Sequence, residues 1–263
     1  MSGQLAGKRG LIIGVANERS IAWGIAKACA EAGAELAFTH QGEAFGARVK
    51  PLAESVGSDM LVDMDVTDEA SLDAAFEMIS ERWGGLDFLV HAVAYSDKSE
   101  LQGRFMNTSR ANFKNSLDIS CYSFIELARR AHPLMAETGG TLMTLTYQGS
   151  NKVVPNYNVM GVAKAALEAS VRYLANDLGR DGIRVNALSP GPMKTLAGAA
   201  IGGARKTFKF TDQNAPLGSN ATLEAVGGTA VWLASDAGAC TTGEIIHIDG
   251  GFHVLGMPQY DNI

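Results

Sequence analysis

The stretch "TYQGSNKVVPNYNVMGVAK" (146–164) holds two tyrosines, Tyr147 and Tyr157, and a lysine, Lys164, seven positions after the second. From Val159 onward, small and apolar residues continue through "MGVAKAALEASVRYLANDL" (160–178), a pattern that predicts a long, mostly buried helix. At about 3.6 residues per turn, positions i and i+7 share a face two turns apart, so Tyr157 and Lys164 are expected to point into one space. A phenol beside an ammonium ionises more easily and is the better proton donor. The same residue types also suit a tyrosine at the edge of the core with a lysine passing it to reach water.

A second constellation lies near the start of the chain. The apolar run "RGLIIG" (9–14) is followed by "GVANERSIAWGIAKA" (14–28). A glycine-bearing turn from a strand to a helix N-terminus is where phosphates are bound, because unpaired amides and the positive end of the helix dipole meet there. The spacing departs from G-x-G-x-x-G: Gly14, five residues, Ser20-Ile21, then Gly24. Ser20 is expected to cap the helix and to hydrogen-bond a phosphate, or simply to close an ordinary capped turn. After the second strand, "FTHQGEAF" (38–45) offers neutral Gln41 where nucleotide folds place an acid for a ribose 2′-hydroxyl or a base for a 2′-phosphate. With no Lys or Arg before Arg48, NADH is the expected cofactor. After the third strand, "DMDVTDE" (63–69) places Asp65 to accept from an adenine amino group and Val66 to offer its amide, while Thr67 or Asp68 is positioned to cap the next helix.

The elements that must position these residues alternate. Apolar runs at 9–14, 34–39, 59–64, 86–93, 140–146, 183–189 and 244–249 read as seven strands. Helical patterns lie over about 20–32, 43–56, 68–83, 112–136, the segment carrying Lys164, and about 222–235. Strands apolar throughout and separated by helices imply a parallel sheet covered on both faces. The expected fold is α/β: a doubly wound, Rossmann-like parallel sheet of about seven strands in a single domain over 1–263, with ligands at the carboxyl ends of the strands.

Bulk composition narrows the classes of function. The 263 residues, 46% of them hydrophobic, suit one α/β domain with a full core. A net charge of −6 with interspersed acids and bases does not suggest a nucleic-acid binder. The three cysteines, Cys29, Cys121 and Cys240, form no CxxC pair, which fits a reduced, cytoplasmic setting. The five histidines have no metal-ligand spacing, so no metal is expected. The opening "MSGQLAGKRG" has no signal-peptide core, and no apolar run is long enough to span a bilayer.

Together these pieces resemble the short-chain dehydrogenase/reductase superfamily over nearly the whole chain, and within it the bacterial NADH-dependent enoyl-acyl carrier protein reductases. The residues that carry the likeness are 14–26, 33–41, "VHAVAY" (90–95), "PNYNVMGVAKAALEASVRYLA" (155–175), "GIRVNALSPGPMKTLA" (182–197) and "GEIIHIDGGF" (243–252). Superfamily members acting on alcohols and ketones carry Tyr-x3-Lys. Here the position four after Tyr157 is Gly161, and the longer Tyr-x6-Lys with a tyrosine ten residues upstream is that of the enoyl reductases. The Asn-Ala-Gly turn after the fourth strand is replaced by "HAVA" (91–94). One departure is "SPGPMKT" (189–195), where the family often has Ser-Ala-Gly-Pro-Ile-Arg-Thr; the lysine keeps the charge but loses the guanidinium fork.

The resemblance implies reduction of the trans-2 double bond of an enoyl thioester in fatty acid elongation. Tyr157 would hydrogen-bond the thioester oxygen as enolate charge builds there. Lys164 would hold the nicotinamide ribose hydroxyls. Tyr147 would line the pocket, or serve as packing at a strand end. The resemblance adds cofactor contacts at Val93, Met193, Thr195, Leu196 and Ala197, and substrate contacts at Ser96 and Met160. Residues 193–210 would form a lid, with Arg205, Lys206 and Lys209 as a basic patch for an acidic carrier protein, or as a merely solvated charged face. Family members are homotetramers, and "DGGFHVLGMP" (249–258) resembles their interface. Two other readings remain at this stage: a β-ketoacyl (carbonyl) reductase of the same superfamily, for which Thr144 would be a weak hydroxyl candidate thirteen residues before the tyrosine, and a nucleotide-binding protein without catalysis.

Overall fold

The structure, a computed structural model, describes residues 3–196, 198 and 201–262. Seven strands form one parallel sheet: β1 (Arg9–Ile13), β2 (Glu35–His40), β3 (Met60–Asp63), β4 (Phe88–His91), β5 (Gly140–Leu145), β6 (Ile183–Pro190) and β7 (Ile245–Ile248). Their order is β3-β2-β1-β4-β5-β6-β7. The chain runs outward from β1 to one edge, then returns to β4 and runs to the other. The strand order therefore reverses between β1 and β4, and a crevice opens at their carboxyl ends. The register there is Ile13 beside His91.

Period-two alternation divides the apolar runs between two cores. Leu11, Ile13, Leu89, Leu142 and Val185 point to one face, where they meet α3 (Glu69–Trp83), α5 (Ser123–Met135) and α6 (Val159–Leu178). Ile12, Phe88, Val90, Met143 and Leu188 point to the other, against α1 (Ile21–Glu31) and α8 (Leu223–Ala234). The close approach of α1 and α8 depends on small residues. A Cβ at Gly24 would lie 2.8 Å from Leu223 Cβ, and one at Gly227 would lie 2.8 Å from the Gly24 carbonyl oxygen.

The helix ends follow local chemistry. Asp68 caps α3 by accepting from the Ala70 amide at 3.0 Å, and Gly84 ends the helix in the left-handed region at φ 68°. The helix expected over 112–136 is in fact interrupted. It is α4 (Arg110–Leu117), a π-helical turn over Asp118–Tyr122, then α5. The extra residue in the turn shifts the helix face so that Cys121 and Ser120 reach α6, a packing effect that periodicity does not show. The segment 193–210, expected as a lid, includes 197, 199 and 200, which lie outside the described residues. Its second half belongs to α7 (Ala204–Asn214), whose Arg205, Lys206 and Lys209 are exposed.

Candidate active site

Gly14 leaves β1 at φ +102°, and a Cβ there would lie 2.3 Å from the Ala92 carbonyl oxygen at the end of β4. Both the left-handed backbone and the contact require glycine. The chain then turns through 15–20 into α1. Ser20 stands at the N-cap position but does not cap; its Oγ turns back to accept from the amides of Ala16 and Asn17, both at 3.0 Å. The expectation that it closes the helix end is thus corrected: the tight turn claims the hydroxyl's acceptor capacity first. The first-turn amides of α1, at Ile21 and Ala22, have no intrahelical partners, so the N-terminus is left open for an anion.

The second and third strand ends meet each other. Gln41 Nε2 donates to Asp65 Oδ2 at 2.7 Å. Burial alone would push the Asp65 carboxyl up, but the Thr67 amide and hydroxyl (2.9 and 2.8 Å) and Gln41 hold it below the usual carboxylate range. Val66 and Val93 are half-buried against the core cluster. This crevice fits a dinucleotide: a cradle that a Cβ would fill, an open helix N-terminus, and polar groups at the ends of β2 and β3.

Tyr157 precedes α6 and does not lie on it. Asn158, between them, has φ 43° and ψ −123°, and Asn156 has φ 63°. The helical i, i+7 argument therefore does not apply. Tyr157 and Lys164 share no hydrogen bond; each reaches the site by its own route. Two strained asparagines flank the tyrosine and are tied down by their side chains. Asn156 Nδ2 donates to the Gly202 carbonyl at 2.9 Å and Asn158 Nδ2 to the Glu100 carbonyl at 3.2 Å. The Tyr157 ring stands edge-on to Tyr147, with centroids 5.2 Å apart. It lies in a small apolar cluster with Leu101, Val159 and Met160, flanked by Ile201. Its hydroxyl has no hydrogen-bond partner among the described residues. Burial, and then Tyr147 and Glu168, push this phenol above the ordinary tyrosine range. The expectation of easier ionisation is overturned: loss of water dominates, and the phenol is held in its protonated form.

Lys164 is buried on α6 and donates to the Leu145 carbonyl at 2.8 Å. Burial lowers it to about 8. Gly161 explains why the lysine is not nearer the tyrosine: a Cβ at 161 would lie 2.7 Å from the Gly149 carbonyl oxygen. A Cβ at Gly149 would in turn lie 2.4 Å from Tyr157 Cδ1. A side chain where Tyr-x3-Lys would need one must push the Gly149 backbone aside.

Ser96 is joined to α4 by Asn112 Nδ2, which donates to its Oγ at 3.1 Å. Met193 packs on the second core, and the Thr195 hydroxyl accepts from the Gly198 amide at 2.9 Å. Leu196 is exposed, and Ala197 lies outside the described residues. Sequence reasoning missed Glu168, a buried acid on a helix face apolar but for Lys164, four residues before it; that spacing was the available signal. It also missed His91, fully enclosed between Thr144 Oγ1 (2.7 Å) and Ser123 Oγ (2.9 Å). Ser123 donates to the Ile119 carbonyl at 2.7 Å, so the network assigns Nε2–H to His91, with Thr144 donating to Nδ1. Burial and the Lys164 charge lower this imidazole to about 3, so it is neutral. Thr144 is thereby committed to His91 and withdrawn from any ligand.

Two surface concavities, of about 430 and 680 Å³, lie elsewhere: one at the amino ends of the strands by Lys8, Asp87 and Arg184, the other along α4 by Phe113 and Tyr122. Neither is lined by Tyr147, Tyr157 or Lys164. Among the described residues no cluster of His, Cys, Asp and Glu could hold a metal ion, and no helix is long and apolar enough to cross a membrane.

Residues 14–253 match the family described as Enoyl-(Acyl carrier protein) reductase. The chain is 58% identical over 261 residues to "Enoyl-[acyl-carrier-protein] reductase [NADH] 2" of Rhizobium meliloti, covering 99% of this chain and 97% of that one. It superposes with TM-score 0.95 on the Anaplasma phagocytophilum enoyl-(acyl-carrier-protein) reductase in complex with NAD, at 54% identity and 98% coverage of both chains. It also superposes with TM-score 0.95 on the Bacillus cereus enoyl-acyl carrier protein reductase with NADP+ and indole naphthyridinone, at 46% identity, covering 97% of this chain and 100% of that one. On both sequence and structure, the chain belongs to the enoyl-(acyl carrier protein) reductase family.

Proposed function

We propose that the protein reduces the trans-2 double bond of enoyl thioesters carried on acyl carrier protein, with NADH as reductant, in fatty acid elongation. The observation that carries this reading is the buried Tyr157 hydroxyl, unpartnered among the described residues, in an apolar cluster with Met160. Bound NADH supplies the hydride that goes to the β-carbon of the substrate. Tyr157 donates its hydroxyl hydrogen bond to the thioester oxygen, where enolate charge builds; a donor held in place before the charge appears needs no reorganisation. Tyr147, edge-on to that ring, fixes its orientation and forms the pocket wall. Lys164 holds the nicotinamide ribose hydroxyls. Gly14, Ser20 and Ile21 surround the pyrophosphate, and Asp65 and Val66 the adenine. Val93, Met193, Thr195 and Leu196 complete the nicotinamide side, and Ser96 stands at the pocket mouth.

The choice of NADH rests on the second strand end. Gln41 is held against an Asp65 kept ionised, and Arg48 is turned over the Phe45 ring at 5.7 Å. A 2′-phosphate there would face a carboxylate without a cation. The rival carbonyl-reductase reading is disfavoured because the Thr144 hydroxyl is engaged with His91 and because any side chain at 161 would press on the Gly149 carbonyl oxygen.

Residues 193–210 act as the lid. Asn156 ties them to the tyrosine through Gly202, and the exposed Arg205, Lys206 and Lys209 on α7 receive the acidic carrier protein. A cytoplasmic homotetramer is the assembly in this reading. Its support is β7, an edge strand whose Ile245, Ile246 and Ile248 are only half-buried, a surface that calls for a cover. The test of the reaction is NADH oxidation with crotonyl and longer enoyl thioesters beside a β-ketoacyl thioester. Turnover of the enoyl substrates alone is expected; turnover of the ketone alone would refute it.

A further inference from the structure

We propose that Glu168 is a positioning residue of this site: its carboxylate, one turn along the buried face of α6 from Lys164, locks α6 to the carboxyl end of β5 and stands as countercharge to that lysine. The consequence for cofactor binding rests on the assignment of Lys164 to the ribose.

The buried face of α6 consists of Val159, Met160, Ala163, Leu167, Val171 and Ala175, with two charged exceptions, Lys164 and Glu168. These are four residues apart and so lie one above the other. Each grips one of two consecutive residues where β5 ends. Lys164 donates to the Leu145 carbonyl at 2.8 Å, and Thr146 Oγ1 donates to Glu168 Oε1 at 2.6 Å. The next residue is Tyr147. A shift of α6 along β5 would therefore break both contacts and move the tyrosine pair.

The second function is electrostatic. An ammonium taken out of water survives only near compensating groups. Several titratable groups lie in this part of the molecule, and of these His91 and Cys121 feel the Lys164 charge. His91 from β4 is neutral, and Cys121 from the π-helical turn is a thiol pushed up by burial. Tyr147 and Tyr157 are phenols pushed up by burial, and His247 from β7 is pushed down by burial and by His253. Asp249 acts on Tyr147 and His247. Two groups raise Lys164 against burial, Cys121 and then Glu168; burial pushes the thiol up and leaves it neutral, so the charged one is Glu168, one turn further along the buried face of α6.

The test is a titration of Lys164 in the cofactor-free protein by NMR of isotopically labelled lysine side chains, assigned with Lys164→Arg, beside NADH affinity as a function of pH. In the wild type the amine is expected to titrate near 8. NADH affinity should be flat below that pH and weaken above it, because the neutral amine holds the cofactor less well. Glu168→Gln keeps the size and an acceptor for Thr146 but removes the charge. It should lower the Lys164 midpoint by about one pH unit, with the fall in NADH affinity displaced to the same extent. Thr146→Val removes the lock but not the charge, so it should weaken NADH binding with the midpoint little changed. An unchanged Lys164 midpoint in Glu168→Gln, or an affinity loss equal at every pH, would overturn the proposal and leave Glu168 as packing. If Glu168→Gln does not fold, Glu168→Asp decides by the same criterion, since it withdraws the charge by one methylene. A midpoint that moves while wild-type NADH affinity stays flat through pH 8 upholds Glu168 as countercharge but removes Lys164 from the ribose.

Discussion

Substituting alanine at Gly161 tests the geometry that sets this tyrosine–lysine spacing. The new Cβ would lie 2.7 Å from the Gly149 carbonyl oxygen, against an ordinary contact of roughly 3.4 Å or more, so the two backbones must part by several tenths of an ångström. Gly149 cannot move freely, because its own Cα faces the Tyr157 ring, where a Cβ would come within 2.4 Å. The strain is thus passed to the loop holding Tyr147 and Tyr157. Overpacking typically costs about 1–3 kcal/mol, and alanine for glycine in a helix returns about 1 kcal/mol. The net loss is roughly 0–2 kcal/mol, a fall in Tm of only a few degrees for a domain of this size. The effect on rate should be larger, since a displacement approaching 1 Å at a reacting group can cost about 100-fold. Expected, then, are a kcat on crotonyl thioester reduced by about 10–100-fold, a small change in Tm, and near-normal NADH affinity, because Lys164 is one turn further along α6 and anchored separately to Leu145. Steady-state kinetics, thermal melting and fluorescence titration of NADH measure the three quantities. Wild-type kcat with wild-type Tm would show that the 149–161 contact is slack, and the account of the spacing would fail.

Tyr157→Phe is expected to lower kcat by about 100- to 1,000-fold, the usual cost of one oxyanion donor, with NADH still bound. Lys164→Ala is expected to act mainly by weakening NADH; fluorescence titrations showing the opposite pattern would reverse the two roles. NADH should be preferred over NADPH by about tenfold or more in kcat/KM, since a missing charge-assisted hydrogen bond is worth about 1.5–3 kcal/mol; equal values would refute the reasoning from Gln41 and Asp65. Arg205→Ala combined with Lys206→Ala should raise KM for carrier-protein substrates, most at low salt, and leave coenzyme A thioesters nearly unaffected. Equal losses on both substrates would mark the pair as part of the lid itself.

Much of the molecule was legible before folding. The seven apolar runs became seven strands, because a strand buried on both faces has no polar alternation to disguise it. Gly14, Gln41, Asp65, Tyr147 and Tyr157 fall at strand ends or in the turns after them, the one place where a parallel sheet exposes side chains to a ligand. The longer spacing from tyrosine to lysine was also plain in the sequence. Its cause was not: it lies in the Gly149 carbonyl oxygen, which approaches position 161 from another part of the chain. Sequence spacing likewise suggested a helical tyrosine with an acidified phenol. The asparagines at 156 and 158 break the helix before it reaches Tyr157, and enclosure by Leu101, Val159 and Met160 moves the phenol the other way. The part Ser20 plays was decided by which donor reached its oxygen first, and that of Thr144 by a histidine 53 residues away in the chain. Residue type and periodicity report what a segment prefers by itself. Protonation, clash and hydrogen-bond partnership depend on the groups that folding brings alongside from distant segments, and only the tertiary structure decides those.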